Sequence, residues 1–408
     1  MKMINVIGQG YIGLPTALMF AKSGVKVVGT DYNENVIQSL QNGKITFEEE
    51  GLEELFKEAL SNGIEFSTEY KKTDTYIISV PTPYIKKSKK LDPSYVISAA
   101  HSILDVCEKG SILIIESTIS PGTIDKYVRP EIEKKGYIIG EDIHLVHAPE
   151  RIIPGNMIYE LEHNSRTIGA DEIEIGEKAK ELYSSFCKSE IVVTDIRSAE
   201  MSKVVENTYR DINIAFANEL AKICRTDNMD VYEIIKIANK HPRVNILQPG
   251  PGVGGHCISV DPWFLVGDYP DLTNLILTAR KINDSMPAHV LKRIRDIMRE
   301  HDINDISKVG LYGLTYKENV DDTRESPTLQ LLERMDEHLA FGVKVFDPFV
   351  KERIIDHQFM NFEDFINEIE ILVIMVGHEH IKNNMELIKD KLILDTKNIC
   401  TSNDVYKL

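Results

Sequence analysis

Short apolar runs bounded by glycine, proline or charge recur along the first half of the chain: Met3-Ile4-Asn5-Val6-Ile7, Lys26-Val27-Val28-Gly29-Thr30, Thr75-Tyr76-Ile77-Ile78-Ser79-Val80, Ser111 to Ile115 and Ile143 to Val146. Such runs are continuous rather than alternating, which predicts strands covered on both faces in a mainly parallel sheet, with helices between them. From Ser198 to about Arg225 the period changes, with Val204, Val205, Tyr209, Ile212, Ala215, Phe216, Leu220 and Ile223 at helical spacing. One long helix is predicted there, and more helices from Val231 to Asn239 and from Asn274 to about Glu300. From about Ser307 the strand-helix alternation resumes: Lys308 to Tyr312 as strand, Ser326 to about Phe341 as helix, then strands at Val343 to Phe346, Ile371 to Met375 and Leu392 to Leu394.

The first run leads into Gly8-Gln9-Gly10-Tyr11-Ile12-Gly13 and then a helical pattern. Strand, Gly-x-Gly-x-x-Gly and helix stand in the order that a dinucleotide fold requires. The first glycine allows a tight turn, the second lets the backbone approach a pyrophosphate, and the third permits close helix packing, with the helix N-terminus toward the phosphates. Asp31 ends the second strand, where a carboxylate accepts ribose hydroxyls and repels a 2′-phosphate, favouring NAD over NADP. The fold expected is therefore α/β: an N-terminal Rossmann domain over 1–194, a central helical dimerisation region with a long helix over 195–300, and a C-terminal Rossmann-like domain over 301–408. The last domain lacks a Gly-x-Gly-x-x-Gly, so a second dinucleotide is not expected. The long helix is apolar over more than one narrow stripe, which predicts a homo-oligomer, a dimer through this region.

Composition narrows the class. The chain has 408 residues and a formal charge of −17; this excess of negative charge argues against nucleic acid or an anionic membrane surface as partner. It lacks a signal-peptide pattern and any apolar run long enough to span a bilayer, so a cytoplasmic enzyme is expected. Its five cysteines, an odd number without close Cys-x-x-Cys spacing, argue against a disulfide framework or a zinc site, and no metal is expected. Cys107, Cys187, Cys224 and Cys400 read as inert packing.

Cys257 is different. It lies in Gly254-Gly255-His256-Cys257-Ile258-Ser259-Val260-Asp261-Pro262, and oxidation of an alcohol to a carbonyl alone needs no thiol. Paired with a dinucleotide signature, a glycine-flanked cysteine suggests covalent capture of an aldehyde, hence oxidation of an alcohol to an acid with two NAD. A nearby cation and a helix N-terminus both lower a thiol pKa. Lys203 and Asn207 are four apart and share a helix face, and so would Cys257 and Asp261 if the chain from His256 forms a helical turn. Thr118, after a strand in Glu116-Ser117-Thr118, can bond a water or hydroxyl, and Glu150, in His147-Ala148-Pro149-Glu150-Arg151, can act as general base. Simpler readings stand beside these: Lys203 as a snorkelling surface lysine, Asn207 and Asp261 as caps, Thr118 as turn chemistry, and His256 as packing rather than a metal ligand.

These motifs resemble the UDP-glucose/GDP-mannose dehydrogenase superfamily over nearly the whole chain: the fingerprint, Glu116-Ser117-Thr118, Pro149-Glu150-Arg151, Lys203 to Asn207, Gly254 to Asp261, and Gly313 to Lys317 leading into Asp322-Thr323-Arg324-Glu325-Ser326-Pro327. Within it, His241 to Phe264 is similar to the branch acting on UDP-N-acetyl-D-mannosamine. His256 replaces a serine usual in the UDP-glucose branch, and Pro154 a glutamate. The resemblance implies NAD contacts from Gly8, Gly10, Tyr11, Ile12, Gly13, Asp31, Thr82, Thr118 and Arg324. It implies UDP-sugar contacts from Glu150, Arg151, Lys203, Asn207, His241, Arg243, Gly254 and Lys317, with Arg243 reaching a neighbouring subunit and the sugar nucleotide held by the C-terminal domain. The catalytic set implied is Cys257, Lys203, Asn207, Asp261, Glu150 and Thr118. Three alternatives remain open: the same chemistry on UDP-N-acetylglucosamine or UDP-glucose, a single-step hydroxyacid dehydrogenase, and a non-catalytic nucleotide-sensing module.

Overall fold

The computed structural model describes residues 3–255, 257–337, 342–402 and 405–408. Two compact units divide the chain, residues 1–206 and 207–408, and the division falls inside the long helix, Ile196–Thr226.

The first unit is built on a sheet of β1 (Ile4–Ile7), β2 (Val27–Thr30), β3 (Glu65–Ser67), β4 (Thr75–Ile78), β5 (Ser111–Ile115), β6 (Ile143–His147), β7 (Arg166–Ala170) and β8 (Ile191–Thr194). Their spatial order is β3-β2-β1-β4-β5-β6-β7-β8, so the crossover from β3 back to β4 leaves a crevice at the carboxyl ends of β1 and β4, where α/β sheets bind ligands. Pairing is parallel up to β6, which meets β7 antiparallel. The apolar runs are strands for the reason the pattern suggests: every residue of β1, β2, β4 and β5 is buried. A polar residue survives in β1 because its bonds are complete, Asn5 donating to the Val28 carbonyl at 2.9 Å and to Thr30 Oγ1 at 2.7 Å.

The second unit has a sheet of β9 (Val309–Tyr312), β10 (Lys344–Phe346), β11 (Gln358–Phe359), β12 (Ile371–Ile374), β13 (Leu392–Asp395) and β14 (Tyr406–Lys407). Its order, β11-β10-β9-β12-β13-β14, repeats that of the first six strands of the other sheet, and all its pairs are parallel. The central helices share a core with this sheet: Ala217, Ala221, Ile235, Val290 and Ile294 cluster with Val309, Leu311, Leu331 and Val373. The expected helix from Asn274 to about Glu300 is two helices, Asn274–Asp284 and Met286–Glu300. The break follows from Pro287, which has no N–H to give and sits in the opening turn of the second helix, where none is needed. The helix expected from Ser326 to about Phe341 spans Pro327–Glu337, and residues 338–341 lie outside those described. An unexpected helix, Asp261–Asp268, directly follows the Cys257 segment. Among the described residues no helix is long and apolar enough to cross a membrane.

Candidate active site

The turn after β1 has the geometry of a pyrophosphate cradle. Gly8 is at φ +90°, and a Cβ there would lie 2.3 Å from the Ser79 carbonyl oxygen; one on Gly13 would lie 1.8 Å from the Gly8 carbonyl oxygen. Both positions exclude side chains. At Gly10, by contrast, a Cβ would meet nothing within 4 Å, so the bare backbone faces open space ahead of the helix Gly13–Lys22. The Gln9 N–H donates to Asp31 Oδ2 at 2.7 Å, and the Asn33 N–H donates to Oδ1 at 2.9 Å. This fixes the Asp31 carboxylate, half-buried at the end of β2, beside the glycine turn, so the residues present fit an NAD. Tyr11 and Ile12 are half-buried within the turn, and Thr82 is buried beyond β4.

The loop carrying Thr118 is tied to the long helix. Glu200 accepts from the Gly122 N–H at 2.5 Å and the Ile124 N–H at 3.0 Å. Burial pushes its carboxyl up to about 7 against the pull of those two donors. Lys203 lies on the next turn and is 5% exposed, which argues against a snorkelling surface role; a buried ammonium is retained only where partners repay its dehydration.

Glu150 sits in a buried ionic cluster. Its Oε1 accepts from the Arg151 N–H at 2.6 Å, and its Oε2 is paired with the Arg166 guanidinium. Arg166, on β7, also lies 3.6 Å from Glu116 Oε1, and its guanidinium stacks 4.5 Å from the centre of the Tyr183 ring. Glu116 accepts from the Tyr183 hydroxyl at 3.1 Å and from Ser79 Oγ at 2.5 Å. The Arg151 side chain turns toward Glu206, 2.7 Å away, and Thr167 Oγ1, 2.9 Å away.

In the second unit a row of amides on the long helix holds the segment that leads to Cys257. Asn213 donates to the Asn245 carbonyl at 2.7 Å and accepts from the Leu247 N–H at 2.9 Å; Asn218 accepts from the Gly250 N–H at 2.9 Å. Asn207 completes the row, donating to Asp261 Oδ2 at 2.6 Å. Cys257 is half-buried, and its carbonyl accepts from the Val260 N–H at 3.0 Å and the Asp261 N–H at 2.8 Å. A helical turn on which Cys257 and Asp261 would share a face therefore forms over residues 257–261, and it runs into the helix Asp261–Asp268. The glycines ahead of it are required: a Cβ on Gly254 would lie 2.5 Å from the Glu325 carbonyl oxygen, and one on Gly255, at φ +85°, would lie 2.7 Å from the Tyr316 ring. The Gly255 N–H donates to the Arg324 carbonyl at 3.0 Å, so the segments of Lys317 and Arg324 adjoin that of the cysteine. Arg324 itself is clamped by Asp322 through bonds of 2.6 to 3.1 Å. His241 and Arg243 are exposed, and His256 lies outside the described residues. The other thiols differ in setting: Cys187 and Cys224 are buried, and burial together with Asp395 pushes the Cys400 thiol up to about 12.

Four charged residues have no role assigned from the sequence. Glu116 and Arg166 complete the cluster around Glu150, while Asp211 and Arg280 form a buried pair at 2.5 Å. Arg280 Nη1 also lies 3.5 Å from the carbonyl of Ile258, next to the cysteine. A carboxylate one turn beyond Asn207, and one at the end of the apolar run Ser111 to Ile115, were the signals available.

Comparison with known proteins agrees over nearly the whole chain. Residues 2–187 match the NAD binding domain of the UDP-glucose/GDP-mannose dehydrogenase family, 197–285 its central domain and 310–402 its UDP binding domain. A UDP-N-acetyl-D-mannosamine dehydrogenase of Methanocaldococcus jannaschii is 44% identical over 98% of this chain and 92% of its own. Among solved structures, the UDP-N-acetyl-mannosamine dehydrogenase of Staphylococcus aureus is 45% identical with a TM-score of 0.89, covering 99% of this chain and 98% of its own. A UDP-D-ManNAc dehydrogenase of Pyrococcus horikoshii is 37% identical with a TM-score of 0.91, covering 98% of this chain and 96% of its own.

Proposed function

Because the chain belongs to the UDP-glucose/GDP-mannose dehydrogenase family, we propose that it oxidises the C6 alcohol of UDP-N-acetyl-D-mannosamine to the uronic acid, through a covalent intermediate on Cys257. NAD, when bound in the glycine cradle, supplies the hydride acceptor for each of the two oxidations. The first removes a hydride from C6 and a proton from its hydroxyl, leaving an aldehyde. The Cys257 thiolate adds to that carbonyl, and the thiohemiacetal loses a second hydride and a second proton to give a thioester. Water then releases the carboxylate and regenerates the thiol. One alcohol, two NAD and one water thus give one carboxylate, two NADH and three protons.

The observation that carries this reading is the state of Cys257: half-buried rather than sealed, in a turn that places it ahead of a helix N-terminus, with Asp261 of the same turn held by Asn207 at 2.6 Å. Asp261 is oriented to handle the proton of the substrate hydroxyl or of the hydrolytic water. Asn207 and Lys203 would donate to the oxyanion, where loss of one donor costs about a hundred- to a thousandfold in rate. Thr118 and Glu150 would serve the hydrolytic water, Lys317 and Arg243 the sugar nucleotide, and Arg324 the NAD. The choice of sugar follows the relatives' names, with the cysteine segment similar to theirs.

A dimer through the long helix completes the proposal. Val205, Tyr209, Phe216 and Ile223 follow one another at intervals of four and seven residues, and are 47%, 62%, 50% and 50% exposed. We take this exposed apolar stripe as the face that a second copy covers.

The test is turnover. Wild type should form two NADH per UDP-N-acetyl-D-mannosamine, faster than with UDP-N-acetylglucosamine or UDP-glucose, and Cys257→Ser should form no acid. Normal acid yield from that variant, or one NADH per substrate in the wild type, would end the covalent reading; a preference for another sugar would redirect the substrate alone.

A further inference from the structure

Two carboxylates, Glu116 and Glu150, converge on one guanidinium inside the first unit. Arg166 is 3% exposed, Glu116 1% and Glu150 6%. With both carboxylates ionised the group would carry a net negative charge out of water, an arrangement whose cost is relieved when one of them holds a proton. The other groups facing Glu116 are neutral hydroxyls: Thr16 from the first helix at 3.5 Å, Ser79 beyond β4 at 2.5 Å, and Tyr183 at 3.1 Å. Around Arg166 lie the rings of Tyr183 and Phe186 and the thiol of Cys187. Among the described residues Arg166 is the cation paired with both carboxylates.

We propose that Glu116 and Glu150 share one proton across Arg166, so that Glu150 takes up a proton during the reaction as Glu116 releases one, at constant buried charge. In the resting state the shared proton sits on Glu116, which lies 3.6 Å from Arg166 where Glu150 is in direct contact. When Glu150 accepts a proton from the attacking water, Arg166 becomes the counter-ion of Glu116, and the Ser79 hydroxyl, 2.5 Å away, turns from donor to acceptor, taking the Glu116 proton as it passes its own to water. Ser79 is half-buried rather than sealed. The water oxygen bonds to the thioester carbon as its proton passes to Glu150, and proton uptake at one carboxyl equals release at the other. Burial pushes the Glu116 carboxyl above the usual carboxylate range; Arg166 opposes that shift and Glu150 adds to it. Glu116 is thus a positioning residue, acting on the reaction through Glu150. The catalytic half of the inference rests on the role proposed for Glu150, whereas the shared proton does not.

Infrared spectra of the full chain at neutral pH test the shared proton without any turnover. The wild type minus Glu116→Gln difference should contain one protonated-carboxyl band, and Glu150→Gln should lack the same band, because Arg166 then ionises Glu116. Absence of the band from the wild type, or its survival in Glu150→Gln, would overturn the proposal whatever the substrate is. In turnover, Glu116→Gln keeps a neutral group of the same shape. Its kcat should fall by about tenfold or more with KM changed by less than about twofold, and the acid limb of the kcat profile should move. An unchanged kcat and pH profile in a variant of normal melting temperature would remove Glu116 from the mechanism. Ser79→Ala, which leaves both carboxylates in place, should slow kcat in the same direction, and full activity there would refute the exit path.

Discussion

Replacing Arg280 by methionine isolates the pair that stands behind the cysteine turn. Arg280 is 1% exposed, Asp211 is 0% exposed, and their charged atoms are 2.5 Å apart. Methionine approximates the volume of the arginine stem but leaves Asp211 buried without a cation, although Asn283 still donates to its Oδ1 at 2.8 Å. Removing one partner of a buried ion pair costs roughly 3 to 5 kcal/mol. For a unit of this size, each kcal/mol is worth roughly 2 to 4 °C of melting temperature, so a fall of roughly 6 to 20 °C is expected. Burial already pushes Asp211 up to about 6, with Arg280 pulling it down; without the arginine it should take a proton more readily, and the deficit should shrink as pH falls. The assay is thermal unfolding at two pH values, with the Asp211→Asn single variant and the double variant to close a cycle. Asparagine removes the stranded charge, so the double variant should melt higher than Arg280→Met alone. A drop below about 2 °C, or a double variant less stable than the single, would refute the reasoning that this pair is buried and interdependent.

Three further outcomes follow from the geometry. Gly13→Ala places a methyl 1.8 Å from the Gly8 carbonyl oxygen, so the turn must open and NADH affinity, read by fluorescence titration, should be lost; an unchanged Kd would remove the cradle assignment. Glu200 has its carboxyl raised from 4.5 to about 7 by burial, so its stabilising contribution is complete below its ordinary value and is lost as pH rises through about 7. The melting temperature of Glu200→Gln should accordingly depend less on pH than that of the wild type between about pH 5 and 8; parallel profiles would contradict this. His147 and His289, each lowered by burial to about 4, work in the opposite sense: their contribution is lost as pH falls from 6.5 through about 4. Finally, Phe216→Glu, at a half-exposed position of the apolar stripe, should halve the mass measured by light scattering, and an unaltered mass would exclude that face as the contact between copies.

The fold was readable wherever a local pattern decides it. The apolar runs that became β1, β4, β5 and β12 are each buried along their length, and the long helix extends only two residues beyond its expected start, to Ile196. The break at Ser285 in the helix expected from Asn274 to about Glu300 has a local cause as well, since Pro287 stands in the opening turn of the second helix. Side-chain roles were less legible because partners are remote along the chain. Arg166 stands 50 residues after Glu116, and the Asp211 to Arg280 bond joins positions 69 apart. Nothing in the segment Ser165-Arg166-Thr167-Ile168 marks its arginine as buried; only the sheet, which sets β7 against the end of β6, does so. Lys203 illustrates the same limit, since a lysine on an apolar helix reads as a surface group until the fold covers it.

The second sheet shows why repeated topology need not repeat a ligand. At both first strands, a turn opened by glycine, Gly8 at φ +90° and Gly313 at φ +101°, is closed by a carboxylate from the end of the next strand. Asp31 does this for Gln9 at 2.7 Å, and Asp347 for Leu314 at 2.6 Å. Asp31 is half-buried, which leaves part of its carboxylate open to a ribose. Asp347 is 3% exposed, and it also accepts from the N–H groups of Thr315 at 3.0 Å and Phe349 at 2.8 Å and from His378 Nε2 at 3.2 Å. Burial raises the Asp347 carboxyl, but His378 and these donors outweigh it and hold it below the usual range. Its acceptor capacity is consumed by the protein, so it serves to shape the turn that carries Lys317. Asp347→Asn, which turns one oxygen into a donor facing two N–H groups, should therefore weaken UDP binding by calorimetry while leaving NADH binding unchanged. Equal loss of both, or of neither, would show that the two turns do not divide their work in this way.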